Sequence, residues 1–351
     1  MMTRMPKIRG RKCRSAFTLL EILVSTVIVM ILLLILASIT TQINTMWRYT
    51  TGRTEQFRQA REAFDAIVRR VSQATLNTYW DYDDPLAPTN YVRQSELRFI
   101  SGPMATLGGT APRGAQWPTH GIFFQAPLGA AQPGQTELSG LNSLLNTWGY
   151  FIEFGSDSAF RPVILDGKVE PHYRFRLFQF IEPADKMSLY GQTSGQDPTG
   201  KPRAAVYNGT DWFRTGLQQT DDARPVHLLG SNIIALVILP RLTEQEDATG
   251  TALAPDYFYD TTVEKTSPQT NSRNQLPPLV QITMVVLDEA SAIRLEDGTT
   301  MPALGLETAF RNAAELDNDI ALLEGKLRDQ RLSYRIFTAT VALKEAKWSN
   351  H

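Results

Sequence analysis

The chain has 351 residues, 35 of them basic and 36 acidic, and a formal net charge of −1. That length allows one large domain or two modest ones beyond an N-terminal segment. Balanced charge disfavours nucleic acid as a partner, because proteins that bind it carry a strongly basic surface. The one cysteine, Cys13, has no second cysteine with which to form an intrachain disulfide. The 20 prolines and 23 glycines, with 9% aromatic residues, suit a loop-rich β domain.

A basic N-terminal segment precedes a long apolar run. Residues 17–39 form a stretch of 23 residues in which Glu21 is the only charged side chain. About 20 apolar residues in a helix cross a hydrocarbon core roughly 30 Å thick, so this run can span a membrane. A carboxylate in such a helix is costly, which makes Glu21 a candidate functional residue. The preceding cations predict that the N-terminal side stays in the cytoplasm; they are Arg4, Lys7, Arg9, Arg11, Lys12 and Arg14.

Two other interpretations of the apolar run are open. A conventional secretory signal has an apolar core of about 7–15 residues with a small-residue cleavage site behind it. Leu36-Ala37-Ser38 imitates such a site, but the run is too long for a signal and Glu21 is misplaced in one. A plain single-pass anchor fits the hydropathy and gives Glu21 no role.

The helix is predicted to continue past the apolar run, from Thr18 to about Leu76. No proline lies between Pro6 and Pro85. Gly52 is a soft point, since glycine inside a helix costs about 1 kcal/mol relative to alanine. A stripe at steps of three and four predicts packing on a globular domain, with a free coiled-coil stalk as the alternative. Its members are Phe57, Ala60, Phe64, Ile67, Val71 and Ala74.

A cluster of carboxylates follows the helix, within the sequence Trp-Asp-Tyr-Asp-Asp-Pro at 80–85. Asp81, Asp83 and Asp84 are weak candidates for a calcium site, because calcium takes about six to eight oxygen ligands. The cluster lacks the full spacing and the distal glutamate of an EF-hand loop. A solvated acidic turn is the simpler interpretation.

Strand-like sequence predominates after residue 77. Runs rich in aromatic and β-branched residues predict strands at 121–126, 148–154 and 173–180. The last run alternates at first, which predicts one core-facing strand face and one partly polar face. Two continuous apolar runs, 233–239 and 279–287, predict buried strands.

Two polar stretches interrupt these strands, at 182–228 and 243–274. So long a loop in a compact domain usually has a reason, so 182–228 is predicted to be either a surface excursion or a partly mobile segment. Its scattered aromatic residues could serve a binding surface or pack back on the domain; they are Tyr190, Tyr207, Trp212 and Phe213.

A second helix is predicted at about 307–331, with acidic residues near its start and basic residues near its end, which complements the helix dipole. Residues 332–343 predict a final strand. The elements together predict an α+β fold. In it, a long N-terminal helix, half transmembrane and half amphipathic, packs on an antiparallel β-rich globular domain with an additional C-terminal helix.

The N-terminal sequence resembles the type III signal of type IV pilins and type II secretion pseudopilins. That signal has a basic leader, a small residue, Phe-Thr-Leu-(Leu/Ile)-Glu and a long apolar helix; here Ala16 precedes Phe-Thr-Leu-Leu-Glu at 17–21. The resemblance implies that a prepilin peptidase cleaves between Ala16 and Phe17 and methylates the new amine of Phe17. It also implies that Glu21 neutralises an N-terminal amine during assembly. The family usually has glycine where this chain has Ala16.

The C-terminal part is similar to the minor pseudopilin J type of type II secretion. The similarity lies in the strand Tyr-Arg-Ile-Phe-Thr-Ala-Thr-Val-Ala-Leu at 334–343, the Lys-Trp pair at 347–348, the helix segment 59–64 and the strand 279–287. The greater length and the helix before the last strand resemble the enlarged pilin-like proteins of verrucomicrobial Verru_Chthon cassette sets, in particular protein C.

Motifs for catalysis are lacking, so the sequence predicts no enzyme and no cofactor. No His-Glu-x-x-His, Gly-x-Ser-x-Gly or phosphate-binding glycine motif occurs. An active site of scattered carboxylates would leave no such motif. None of the histidines has metal-ligand spacing; they are His120, His172, His227 and His351.

The predicted organisation is a leader at 1–16, a transmembrane helix at 17–39, its amphipathic continuation at 40–76 and a periplasmic β-rich pilin-like domain at 77–351. Cleavage after Ala16 removes six of the 35 basic residues, which leaves 29 against 36 acidic residues and a net charge of −7. The mature chain is then mildly acidic, which again predicts no nucleic-acid partner.

The resemblance implies a minor pilin-like structural subunit of a type II secretion or type IV pilus-like assembly. It would lie in the inner membrane with a cytoplasmic N-terminus and enter a helical-core filament, where its large domain favours the tip. The implied partners are the prepilin peptidase, other pilin-like subunits, inner-membrane lipid and a secreted protein substrate. The alternative is a membrane-tethered β-domain binding module that captures an exported protein or surface partner, particularly through 182–228.

Overall fold

A computed structural model describes residues 18–83, 86–130, 141, 143–162, 164, 167–191, 210–220, 223–263 and 272–348. The chain divides into two compact units, Met1–Thr54 and Glu55–His351. The helices of the described residues are α1 (Leu19–Val71), α2 (Met104–Leu107), α3 (Ser188–Gly191), α4 (Asp211–Leu217), α5 (Glu289–Leu295) and α6 (Leu316–Asp329).

The strands of the described residues are β1 (Tyr79–Tyr82), β2 (Tyr91–Gln94), β3 (Ile100–Pro103), β4 (His120–Pro127), β5 (Leu145–Ser156), β6 (Tyr173–Glu182), β7 (Val226–Ser231), β8 (Ile233–Arg241), β9 (Tyr259–Asp260), β10 (Leu279–Leu287) and β11 (Tyr334–Ala342). They fall into three antiparallel sheets. A hairpin pairs β1 with β2, a three-stranded sheet has the order β11-β10-β8, and a six-stranded sheet has the order β7-β6-β5-β4-β3-β9. The fold is therefore α+β with antiparallel sheets, as predicted.

The apolar stripe of α1 from Phe57 onward packs into the core of the larger unit, which confirms the prediction from its spacing. All six predicted side chains are buried. The Phe64 ring lies 5.8 Å from that of Phe337 on β11, and the Arg335 guanidinium lies 5.0 Å from the centre of the Phe57 ring. This half of the helix therefore covers the three-stranded sheet.

The helix ends at Val71 and not near the predicted Leu76. The backbone N–H of Thr75 donates to the carbonyl of Gln125 on β4 at 2.9 Å, so the chain here has already joined the large sheet. Asn77 then takes a φ of 46°, a left-handed conformation that asparagine tolerates better than most residues. Pairing with a distant strand ends the helix, a partner that local periodicity does not reveal.

Strand β6 is buried on both faces, which differs from the partly polar face predicted for it. Two of its polar side chains have hydrogen-bond partners within the larger unit. An Arg176 guanidinium nitrogen donates to the carbonyl of Gly155 at 2.7 Å, and the Gln179 side-chain oxygen accepts from Arg70 at 2.6 Å. Other layers of the domain therefore cover the side that alternation assigns to solvent.

The polar stretch 182–228 contains α3, α4 and the first part of β7. On α4 the side chains of Trp212 and Phe213 are buried, and the Phe213 ring stacks on Phe123 of β4 with centroids 3.9 Å apart. These two aromatic residues serve the core, not a surface. Tyr207 and the side chain of Tyr190 lie outside the described residues.

The C-terminal helix begins later than predicted, with a short 3-10 turn at Ala313–Glu315 followed by α6. Phe310 explains the late start, because its φ of 57° is incompatible with a helix. Its N–H donates to the Asp319 carboxylate at 2.7 Å, and its ring is buried. Strand β11 follows close to the predicted position, and β10 has the predicted bounds.

His120 protects the free edge of β8. Its Nδ1 accepts the N–H of Ile238 at 3.2 Å, and the Thr119 hydroxyl accepts that of Leu236 at 3.1 Å. Because Nδ1 accepts, the proton is on Nε2, which donates to the Phe310 carbonyl at 2.9 Å. The ring is buried and neutral, and burial lowers the pKa of His120 to about 4.

His120 and Glu182 give the protein opposite pH dependences. The unfolded chain protonates His120 near its usual pKa of 6.5. The contribution of this residue to the free energy of unfolding is therefore complete above that pH and is lost as the pH falls towards 4. Burial raises the pKa of Glu182 to about 7 from 4.5, so its contribution is lost as the pH rises through that window. Each contribution to the free energy of unfolding amounts to roughly 3 kcal/mol. Between pH 4.5 and pH 6.5 one contribution grows while the other shrinks, so the two changes nearly cancel.

We expect His120→Gln and Glu182→Gln to change the pH slope of stability in opposite directions. Without His120, the free energy of unfolding should fall as the pH rises from 4.5 to 6.5; without Glu182, it should rise. Denaturant titration of the full-length protein in detergent, followed by tryptophan fluorescence, measures both slopes. Slopes equal to that of the wild type would contradict the assignment.

Candidate functional site

The N-terminal half of α1 is a continuous apolar surface. Leu19–Asn44, 26 residues, is long and apolar enough to cross a membrane. At about 1.5 Å per residue it reaches about 39 Å, more than the roughly 30 Å of a hydrocarbon core. Large apolar side chains along it are exposed, from Leu19 to Ile43. Such a surface needs lipid or other helices to cover it.

Four hydroxyl groups within this segment donate to carbonyls of the same helix. Ser25 donates to the carbonyl of Glu21 at 2.5 Å, and Thr26 donates to that of Leu23 at 2.9 Å. Near the other end, Thr40 and Thr41 donate to carbonyls one turn back, at 2.8 Å each. A helix in hydrocarbon has no water to meet such groups, so these bonds suit a spanning segment.

Glu21 closes a capping box at the start of α1. Its carboxylate Oε2 accepts from both the backbone N–H and the hydroxyl of Thr18, each at 3.0 Å. The Thr18 hydroxyl in turn accepts the N–H of Glu21 at 3.3 Å. This reciprocal pair satisfies two donors that a helix N-terminus leaves without partners.

The capping box is a role for Glu21 that reasoning from charge missed, although its signal, Thr18-x-x-Glu21, is visible in the sequence. Only one carboxylate oxygen is used. Among the described residues, Oε1 accepts no hydrogen bond, so it is available to a further donor. Ala16 and Phe17, the predicted processing residues, lie outside the part of the chain that the structure describes.

The acidic cluster after the helix is divided by the β1–β2 hairpin. Asp81 lies on β1, where its carboxylate accepts the N–H of Tyr82 at 2.8 Å. Asp83 follows the strand and accepts from the N–H of Thr89 at 2.9 Å, across the hairpin loop. Asp84 is not among the described residues, and in those described no group of three or more Asp, Glu, His or Cys side chains could hold a metal ion.

Residues 55–71 of α1 are fixed in the larger unit by a polar clamp on α5. The Gln56 side-chain oxygen accepts the N–H of Glu289 at 2.7 Å, and its amide nitrogen donates to the Glu289 carboxylate at 3.3 Å. Burial opposes the ionisation of Glu289, but hydrogen bonds from Arg174 and Asn232 lower its pKa below the usual value. The clamp was not predicted, because it joins residues far apart in sequence.

Comparison with known proteins identifies the N-terminal segment. Residues 11–37 match the family model of the prokaryotic N-terminal methylation motif. No curated protein and no solved structure matches the chain. The match covers the Ala16-Phe17 junction, Glu21 and most of the apolar run. Together with the exposed apolar half of α1, the motif indicates a membrane-anchored, type IV pilin-like precursor that is processed by a prepilin peptidase.

Proposed function

We propose that this protein is a minor pilin-like structural subunit of a type II secretion or type IV pilus-like assembly. The observation that carries the proposal is the match of residues 11–37 to the methylation motif, on a helix whose apolar surface is exposed from its first turn. In the membrane this surface contacts lipid. In a filament the same surface contacts the helices of neighbouring subunits.

Processing would leave Phe17 as the first residue of the mature chain, with its amine methylated. Mass spectrometry of the protein from its native cell tests this directly. We expect a mature N-terminus at an N-methylated Phe17, and the same N-terminus in an Ala16→Gly variant, which restores the small residue most common at this position. In an Ala16→Glu variant the precursor should persist uncleaved. A mature chain that begins elsewhere would falsify the assignment of the junction.

Assembly would use Oε1, the second carboxylate oxygen of Glu21. A carboxylate buried in a bundle of helices is stable only when it is paired, and the Phe17 ammonium of a neighbouring subunit is a suitable partner. Because Oε2 already accepts from Thr18, the carboxylate is held at the first turn, and Oε1 accepts no hydrogen bond from the described residues. The capping box thus positions the group that selects for correct register between subunits.

The finer features of the proposal rest on the sequence resemblance and the anchor. They are the J-like minor pseudopilin type, a relation to Verru_Chthon cassette protein C, the inner membrane with a periplasmic domain, a place at the filament tip, and the four-part organisation 1–16, 17–39, 40–76 and 77–351. Co-purification from the native cell distinguishes this function from a tethered binding module. Recovery with other pilin-like subunits supports assembly, whereas recovery with an exported protein alone supports the module.

A further inference from the structure

The β1–β2 hairpin displays an aromatic face to solvent. Trp80 pairs with Arg93, and Tyr82 pairs with Tyr91, which places these four side chains on one side of the hairpin. The aromatic residues among them are largely exposed: Trp80 by 54%, Tyr82 by 53% and Tyr91 by 61%. They are among the most exposed aromatic residues of the larger unit.

The side chains of Trp80, Tyr82, Tyr91 and Arg93 contact one another in one cluster, which we call the platform. The Trp80 and Tyr91 rings are nearly parallel, with centroids 6.1 Å apart and planes at 14°. Tyr82 meets Tyr91 edge to face at 5.6 Å, and the Arg93 guanidinium lies 5.5 Å from the centre of Trp80. Cross-strand aromatic pairs stabilise a hairpin by about 0.2–1 kcal/mol each, but that contribution does not require more than half of each aromatic side chain to stay exposed. An exposed aromatic cluster is typical of a binding surface.

A polar cavity adjoins the platform. It has a volume of about 130 Å³, and Arg93 belongs both to its wall and to the platform. The cavity is held in place by Asn274, whose side-chain amide donates to the Arg93 carbonyl at 2.7 Å. Its walls carry hydroxyl, amide and charged groups of both signs, among them Thr75, Asn77, Thr78, Arg93, Glu345 and Lys347.

The combination of platform and cavity indicates the ligand's chemistry. A pyranose ring presents a flat C–H face that stacks on aromatic rings, and its hydroxyl groups both donate and accept hydrogen bonds. The cavity supplies donors, acceptors and groups that do both, and its charged residues, Arg93, Lys347 and Glu345, sum to only +1. Nucleic acid would also stack, but it requires a basic groove along its backbone, and Arg93 is the one cation among the four residues of the platform.

We propose that the face formed by Trp80, Tyr82, Tyr91 and Arg93, with the cavity beside it, binds a neutral polysaccharide. The sugar ring stacks on Trp80 and Tyr91, and its hydroxyl groups reach the cavity through Arg93. This binding does not depend on the filament function, so it can be tested separately.

The test uses the full-length protein, purified in a detergent that has no sugar headgroup. Binding to insoluble cellulose and chitin is measured by sedimentation, and binding to soluble glucan and galactomannan by affinity electrophoresis. We expect saturable binding to at least one of these polysaccharides. Trp80→Ala and Tyr91→Ala should each weaken it about tenfold or more, because each removes a stacking surface.

Two variants separate binding from folding. Tyr79→Ala removes an exposed aromatic residue from the opposite face of the same strand and should leave binding unchanged. Trp80→Phe keeps a stacking ring and should retain most of the binding that Trp80→Ala loses. Absence of binding to all four polysaccharides overturns the proposal. So does equal loss in Tyr79→Ala and Trp80→Ala, or Trp80-dependent binding of a protein or nucleic acid with no polysaccharide bound.

Discussion

Glu21→Gln is expected to insert into the membrane as the wild type does and to be excluded from the filament. Glutamine preserves the capping box, since its side-chain oxygen can accept from Thr18 in place of the carboxylate. It removes only the negative charge. In an assembled bundle the ammonium of a neighbouring subunit then lacks its partner, and truncating one member of such a pair weakens association by about thirtyfold or more.

Thr18→Ala is the matched control, because it removes the capping hydroxyl and keeps the charge. The loss of an N-cap costs about 1 kcal/mol of helix stability, which frays the first turn without abolishing the pair. We therefore expect Thr18→Ala to assemble, and Glu21→Leu to behave like Glu21→Gln. The measurement is the amount of each variant that co-purifies with pilin-like subunits, relative to the amount in the membrane fraction.

The outcome distinguishes between the two roles of Glu21. Assembly by Glu21→Gln at the wild-type level would show that the charge is dispensable and would remove the basis for pairing with Phe17. Failure of both Thr18→Ala and Glu21→Leu, with normal assembly of Glu21→Gln, would assign the requirement to the helix cap. Reduced membrane insertion in Glu21→Gln would contradict the view that the anchor is independent of this charge.

Arg98→Met is expected to destabilise the larger unit by about 3–5 kcal/mol, because it leaves a buried carboxylate without its partner. The side chains of Arg98 and Asp260 are exposed by only 5% and 3%. Arg98 Nε donates to one oxygen of Asp260 at 2.8 Å, and a second guanidinium nitrogen donates to the other. The pair holds the segment before β3 against β9, at one edge of the six-stranded sheet.

Denaturant unfolding of the full-length protein in detergent measures this effect. Arg58→Met is the matched control, since Arg58 pairs with Glu55 and Glu62 on the exposed surface of α1 and such pairs contribute little. Adding Asp260→Asn to Arg98→Met should recover part of the loss, because it removes the unpaired charge. An Arg98→Met variant as stable as Arg58→Met would show that the buried pair does not hold this edge.

Local spacing alone determined the elements with a strong period or an unbroken apolar run. The stripe from Phe57 to Ala74 was predicted because its side chains recur at helical steps. The structure buries all of them. Strand β10 was predicted with its bounds, and β8 within two residues at its C-terminal end, because continuous apolar runs have few other stable placements. The anchor and its methylation motif are also local, since they lie within residues 11–44.

The tertiary structure decided what depends on partners distant in sequence. Thr75 ends α1 by pairing with Gln125, and Phe310 delays α6 through Asp319. The aromatic hairpin was predicted as an acidic turn, because its carboxylates are obvious in sequence and the pairing of β1 with β2 is not. Burial of β6 on both faces likewise follows from the layers above and below it. Each of these outcomes depends on which parts of the chain pack against each other. The spacing of apolar residues in one element does not show which other element will cover it.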